Sequence, residues 1–323
     1  MRAGGKRKFG RDRRRGCLLQ STGGEPMSRC MNRRGFLKHT GLAGVAAAIG
    51  AGAGAEKAAK DPLKPLPTIK FAAMDVSRFI LGSNPFWGYS HKSRELDEEM
   101  KQYHTDEKIV EILDEAARCG LTTVVSPPDQ RWCDLYEKYR AGGGKLRIWI
   151  SQCHASPEKM EEEIDRSLKY RADAAFIQGA RTESMFGQGK FDSLRAWLDR
   201  IKNAGIPGGF AAHWPEIHPE LEKRKFPADF YFQCCYNASK GEAYRAEERV
   251  KANETIRAIE KPVVAYKILG AGRLAAADGF EQAFNVIRRK DGVCVGIWAK
   301  AAIDQIRENA TLTEMLSAKQ PKA

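Results

Sequence analysis

The residues able to do chemistry are unevenly spread along this chain. Imidazoles at His154 and His213, an ammonium at Lys267 and a row of amides and indoles sit at or near the ends of short apolar runs. His213 ends the run GGFAAH, just before Trp214-Pro215, and imidazole is the commonest general acid or base near neutral pH. Lys267 lies inside VVAYKIL. A lysine in an apolar run is costly unless it reaches a partner or an open pocket, and in a pocket it can serve as base or as nucleophile toward a carbonyl. If both face one pocket, the like charge disfavours protonated histidine. The imidazole is then the base and the lysine holds a developing oxyanion. That pair suits enolisation or elimination beside a carbonyl. Each residue also has a structural alternative: a histidine bonded to a backbone carbonyl, or a lysine in an ion pair below the pocket.

The elements that must position these groups alternate regularly. Eight β-branched or aromatic runs occur at 78–84, 121–126, 145–151, 172–178, 208–213, 228–234, 261–268 and 292–298. Helical periodicity fills the intervals. In 105–120, Thr105 is placed to cap, acids fill the first turn, Ile109, Ile112, Leu113 and Ala116 form the apolar face, and Gly120 ends the helix. In 156–170, Ser156 and Pro157 open a stretch with Met160, Ile164 and Leu168 on one stripe. Further helices are predicted at 130–141, 191–204, 215–224, 243–260, 277–289 and 300–317. Eight strands alternating with helices over about 250 residues predict an α/β fold of the (β/α)8 TIM barrel type. The rival, a doubly wound open sheet, wants a Gly-rich turn after an early strand, and GGG at 142–144 precedes a strand instead.

In such a barrel the chemistry lies where strands end. The strand ends offer Asn84 and Trp87, then Asp129, Gln152 with His154, Gln178, and His213 with Trp214. The last three strands add Gln233, Tyr236 and Asn237, then Lys267 with Gly270, Gly272 and Arg273, then Gly296 and Trp298. His213, Lys267, Asp129, Gln152 and Gln178 are the catalytic candidates. Asn84, Trp87, His154, Trp214, Gln233, Tyr236, Asn237 and Trp298 are the substrate-binding candidates, the aromatics as stacking faces for a sugar. Gly270, Gly272, Arg273 and Gly296 sit where barrels often bind phosphate, and an arginine fork suits an anion. Asp129 is the one acid beside a strand end, which argues against a paired-carboxylate glycosidase and against Mg²⁺ or Ca²⁺. Zinc could draw on His154, His213 and a cysteine, but no metal-ligand spacing is present, so no metal is assigned. His91 and His104, flanked by charged residues, read as surface groups.

The segments DFYFQCCYN, KPVVAYKILGAGRL and DGVCVGIWAKAAIDQIREN resemble the last three strands of aldo/keto reductases, and LGSNPFWG is similar to the first. The matching residues are Gln233, Tyr236, Asn237, Gly270, Gly272, Gly296, Glu308 and Asn309. The resemblance implies a TIM barrel and leaves room for NAD(P). It breaks at the catalytic set: no Asp-led tyrosine follows the second predicted strand, Gln152 occupies the family's lysine position, and Gln178 its histidine position. Three readings remain. The chain is an enzyme on a small polar sugar or carbonyl substrate using His213 and Lys267, a nicotinamide oxidoreductase with altered catalytic residues, or a barrel that binds a ligand without catalysis.

Upstream of the barrel, Asn32-Arg33-Arg34-Gly35-Phe36-Leu37-Lys38 resembles the twin-arginine export signal. The apolar stretch after it, 41–55, has fifteen residues, five of them Gly, which is short of the roughly 20 a membrane span needs. It ends in Ala53-Gly54-Ala55, as a cleavable signal peptide does. The expected organisation is a basic extension at 1–30, consistent with a true start at Met27 or Met31, a signal peptide at 31–55, a Lys- and Pro-rich linker at 56–69 and the barrel at 70–323. The expected partners are a small-molecule substrate and the twin-arginine translocase, and the expected location is periplasmic or extracellular. Of the chain's net charge of +13, residues 1–55 carry +10, from 12 Lys and Arg against 2 acids. The near-balanced remainder gives no reason to invoke nucleic acid. Six cysteines follow residue 55 without a C-x-x-C pair, and the chain is long enough to build a core without disulfides. Replacing Arg33 and Arg34 together by lysine is expected to hold the precursor in the cytoplasm, read by fractionation; normal export of that variant would rule the signal out.

Overall fold

Along the eight barrel strands, side chains sort by a period of two into an inner and an outer set. The computed structural model describes residues 64–236, 246–301 and 304–321. The barrel strands are β3 (Phe79–Gly82), β4 (Thr123–Ser126), β5 (Ile148–Cys153), β6 (Ala174–Ile177), β7 (Gly208–Ala212), β8 (Phe230–Cys234), β9 (Val263–Tyr266) and β10 (Gly292–Gly296). All neighbours pair in parallel, and β10 closes onto β3. Ile80, Val125, Ile150, Phe176, Ala211, Phe232 and Val264 fill the interior. Leu81, Val124, Trp149, Ile177, Phe210, Tyr231, Val263 and Val295 face the helices. Each of the eight predicted runs overlaps one of these strands, with β5 running two residues past the end of its run, so the TIM barrel expectation holds.

The helices are α1 (Arg94–Tyr103), α2 (Asp106–Arg118), α3 (Gln130–Ala141), α4 (Met160–Lys169), α5 (Gly179–Gly187), α6 (Phe191–Asn203), α7 (Ile217–Lys223), α8 (Ala246–Ala258), α9 (Ala276–Phe284) and α10 (Gln305–Lys319). Helix α2 starts and stops as its sequence dictates. The Thr105 side chain accepts from the Lys108 N–H, and Gly120 takes a left-handed turn at φ +83°. A Cβ at residue 120 would lie 2.4 Å from the Lys64 carbonyl oxygen, so only glycine fits.

Two elements depart from expectation at the chain's entry. The stretch expected to end as a linker at residue 69 instead enters a hairpin, β1 (Thr68–Phe71) with β2 (Met74–Ser77). Ile69, Phe71 and Val76 are buried in the barrel's inner cluster, and Phe71 stacks on Phe230, the first residue of β8, at 4.2 Å. The hairpin therefore plugs the end of the barrel opposite the strands' C-termini. The second departure is α1, a polar helix that shows only Met100 to the core. The signal-like segment at 31–55 lies outside the described residues, and among those residues no helix is long and apolar enough to cross a membrane.

At the plugged end a buried polar network holds β3, β9 and β10 together. Arg78 donates from Nε to the Asp291 carbonyl, from Nη2 to the Arg288 carbonyl and from Nη1 to Ser317 Oγ. Burial brings its pKa down to about 10, although Asp291 works the other way. The fully buried Asp291 carboxylate accepts from the Val263 N–H at 2.9 Å and from Arg288 Nε at 2.7 Å. Removing the Asp291 carboxylate leaves the buried Val263 N–H without its acceptor, which costs about 1–3 kcal/mol, and takes from the partly exposed Arg288 its ion pair. Asp291→Ala is thus expected to lower unfolding stability by about that amount, measured by urea titration; a loss below about 1 kcal/mol would show that the network is not a support of the barrel.

Candidate active site at the barrel mouth

The C-terminal ends of β7 and β9 bring His213 and Lys267 together. Ala211 faces inward from β7, so His213 takes the next inward position above it. On β9, Val264 and Tyr266 pack with the interior, and continued alternation would send Lys267 outward. The strand ends first. Lys267 adopts φ +56°, a left-handed conformation that costs a non-glycine residue roughly 1–2 kcal/mol. Its Nζ lies 3.4 Å from His213 Nε2. That is at the long end for a hydrogen bond, as catalytic contacts often are before substrate arrives.

The other side of the imidazole is held by Glu183, on α5. Gln178 caps that helix, its Oε1 accepting from the Arg181 N–H at 3.3 Å. One turn on, Glu183 Oε1 accepts from the backbone N–H of His213 and, at 3.1 Å, from that of Trp214. His213 Nδ1 lies 3.0 Å from the same oxygen. Burial pulls the Glu183 carboxyl up, but the imidazole and the two N–H groups outweigh it and leave it below the usual carboxylate range. An ionised carboxylate only accepts and an ammonium only donates. The two contacts therefore assign the proton to Nδ1 and the lone pair to Nε2, facing Lys267. Gly179 makes room for the ring, since a Cβ there would sit 3.0 Å from His213 Cε1 and Nδ1. Tyr266 packs on it at 5.8 Å between ring centres.

A second imidazole is built in the same way. Glu163 of α4 accepts from the backbone N–H groups of His154 and Ala155, and His154 Nδ1 lies 3.0 Å from its Oε1. Glu163 raises the His154 pKa against the effect of burial, with Asp129 adding to the rise. Arg181 Nε donates to the His154 carbonyl at 3.0 Å, so α5 connects to both histidines.

The remaining candidates fall into three groups. Gln152 keeps an inward, half-buried position on β5, and Asp129 stands at the N-cap of α3. Trp214 is 44% exposed at the rim. Trp87 donates to Ser83 and Ser126, Asn84 opens a short 3-10 turn, and Trp298 packs edge-on against Tyr103. Gln233 and Tyr236 are corrections to the substrate-binding set. Gln233 points outward from β8, its Oε1 2.9 Å from Nδ1 of the buried His218. Tyr236 is buried and bonds to Gln282 and Arg249. Asn237 lies outside the described residues. His104 is not a surface group, and His91 is half-buried. His104 is fully buried. His91 is brought down to about 4 by burial and then by Lys267 and His213, so it sits neutral near the pair.

The loop after β9 does not form the expected anion cradle. Gly270, Ala271 and Gly272 all have positive φ, but Arg273 Nη1 and Nη2 donate to the carbonyls of Gly270 and His91, and Lys92 Nζ donates to that of Gly272. A Cβ at Gly296 would meet Pro85 Cδ at 2.7 Å, so that glycine serves packing. These residues do not fit the phosphates of a nicotinamide cofactor. Among the described residues no group of three or more His, Cys, Asp and Glu side chains could hold a metal ion. Two surface concavities, of 280 and 470 Å³, lie on the helix layer around Asp114 and contain neither histidine nor cysteine. The chemistry is concentrated at the mouth.

Glu183 and Glu163 escape a reading confined to strand ends, because both reach the mouth from helices. Their signal is position: each carboxylate lies within the first two turns of a helix whose N-terminus opens at the mouth.

No protein-family model matches the chain, and neither does any curated protein sequence. Among solved structures it is similar to one described as a candidate aldo-keto reductase of Pseudomonas aeruginosa, at 16% identity and a TM-score of 0.55 over 81% of this chain and 99% of that one. A second structure described in the same terms, from the same organism, gives 16% identity and a TM-score of 0.55 over 80% and 97%. At that identity the likeness establishes the architecture shared with those proteins, and this chain is a (β/α)8 barrel.

Proposed function

We propose that the chain is an enzyme that moves protons beside the carbonyl of a small polar substrate, a sugar or sugar-derived carbonyl compound. The observation that carries this is the line Glu183–His213–Lys267: a carboxylate on Nδ1 and an ammonium on Nε2 of one imidazole. A carbonyl oxygen entering the mouth would replace His213 as the acceptor for Lys267 Nζ. The freed Nε2 lone pair then takes the proton on the carbon next to the carbonyl. The electron pair moves onto the oxygen, where Lys267 balances it, and Glu183 stabilises the imidazolium and keeps its ring in place, as in acid–base triads. Returning the proton gives isomerisation; loss of a group from the next carbon gives elimination. The exposed Trp214, adjacent in sequence to His213, offers a face for a sugar ring.

A nicotinamide reading draws on the fold likeness and on the matched residues of the last three strands, and the engaged Arg273 and the buried Gln233 and Tyr236 speak against it. We also propose that the barrel works outside the cytoplasm, exported folded through the twin-arginine route; its support is the segment around Arg33-Arg34. The proton-transfer reading is tested by following C–H loss in D₂O by NMR with glycolaldehyde, dihydroxyacetone and D-fructose. The protein is expected to exchange a proton next to the carbonyl in at least one of them. His213→Asn should slow that exchange by about 10²–10⁴-fold, and Glu183→Gln by less. Exchange at the same rate in His213→Asn would end the assignment.

A further inference from the structure

We infer that Lys267 engages the carbonyl covalently, as a nucleophile that forms an iminium with an aldehyde or ketone, and that His213 is the base that activates it. This rests on the proton-transfer reading above and specifies how the same pair acts. The arrangement is nucleophile, base and orienter in sequence: Lys267 Nζ, the His213 ring, and the Glu183 carboxylate behind it. The one imidazole lone pair open to reaction faces Nζ at 3.4 Å, so the first proton it can reach is the lysine's.

Three further observations favour this lysine. Its left-handed backbone is an outlier of the kind found where a structure holds a group in place for reaction. His91, brought down to about 4 by burial and by the nearby Lys267, is neutral beside the pair and adds no charge of its own. The rival nucleophiles are silent: burial pushes the thiols of Cys153, Cys234 and Cys294 up to about 12.

The steps balance. His213 Nε2 takes a proton from the Lys267 ammonium. The amine lone pair forms the N–C bond as the carbonyl π pair moves to oxygen, which takes the imidazolium proton. His213 then removes a proton from the new N–C nitrogen. That nitrogen's lone pair expels the hydroxyl group, which leaves as water with the proton His213 had taken. Ammonium and carbonyl become iminium and water, with charge unchanged. The imidazole is again free to remove the proton on the adjacent carbon, whose electron pair the iminium now accepts in place of a carbonyl oxygen.

The test is reductive trapping of the full chain. Protein is mixed with glycolaldehyde, dihydroxyacetone or pyruvate, reduced at once with sodium borohydride, and mapped by peptide mass spectrometry. A stable secondary amine is expected at Lys267, at least tenfold above exposed lysines such as Lys223, which serves as the internal control. His213→Asn should reduce trapping at Lys267 by about 10²-fold or more and leave Lys223 unchanged. Lys267→Met should remove the site, with circular dichroism reporting that the barrel remains folded. Trapping at Lys267 no greater than at Lys223 with all three probes, or unaffected by His213→Asn, overturns the inference. If deuterium exchange continues in that case, the proton-transfer reading stands with Lys267 as a bound cation; if exchange is absent too, both fall.

Discussion

Everything at the mouth depends on one constraint, the two-residue alternation of side chains along parallel strands that close on themselves. Inward positions low in the barrel must be filled, and here they are, by Phe176, Phe230, Phe232 and the hairpin residue Phe71, with ring centres 4.2 to 6.5 Å apart. The last inward position of each strand is left open to polar groups at the mouth. Gln152 and His213 occupy such positions, and Gln233, one step out of register, spends its amide on His218 in the helix layer instead. A single residue of offset therefore decides between chemistry and packing.

Lys267 departs from that rule, and the departure costs energy. Keeping β9 extended for one more residue would have turned its ammonium into the apolar helix layer, at a desolvation cost well above that of a left-handed backbone. Hydrogen bonds from the next residues support the turn. Gly270 N–H donates to the Lys267 carbonyl, Arg273 N–H to that of Leu269, and Arg273 reaches across to the His91 carbonyl. The loop that the sequence offers as an anion cradle acts here as a brace for the lysine and joins the loops after β3 and β9. Its arginine is occupied because it is structural.

The barrel was legible because it is periodic. Eight apolar runs, each bounded by helix signals, have few alternative closures, and Thr105 and Gly120 act in the structure as their types dictate. The pairing of His213 with Lys267 was legible from strand ends alone. Glu183 was not, for two reasons. It stands on a short helix whose sequence, GARTESMFG, carries a weak apolar stripe and ends in glycine. Its value also lies in a contact 30 residues along the chain, which no local pattern encodes. His104 failed differently: charged neighbours suggested a surface, but its ring is enclosed by Phe86, Tyr103 and Trp298, a tertiary fact that overrides local composition. The entry hairpin was hidden by Lys and Pro residues that suit a tether as well as a turn into β1.

The two glutamate–histidine pairs show how such a site can be stable before it is active. A strand that ends at the mouth leaves backbone N–H groups facing a partly dry space, and these need acceptors. Glu183 and Glu163 each satisfy two consecutive N–H groups. That bonding offsets the cost of burying the carboxylates and leaves both below their usual pKa. Each carboxylate then remains charged into mildly acidic solution, and its effect on the neighbouring imidazole needs no further adjustment. The structural demand comes first and the orientation of the imidazole is its consequence. What distinguishes His213 from His154 is the group on the far side of the ring: for His213 it is an ammonium, Lys267, and the structure shows no such ammonium contact for His154 among the described residues.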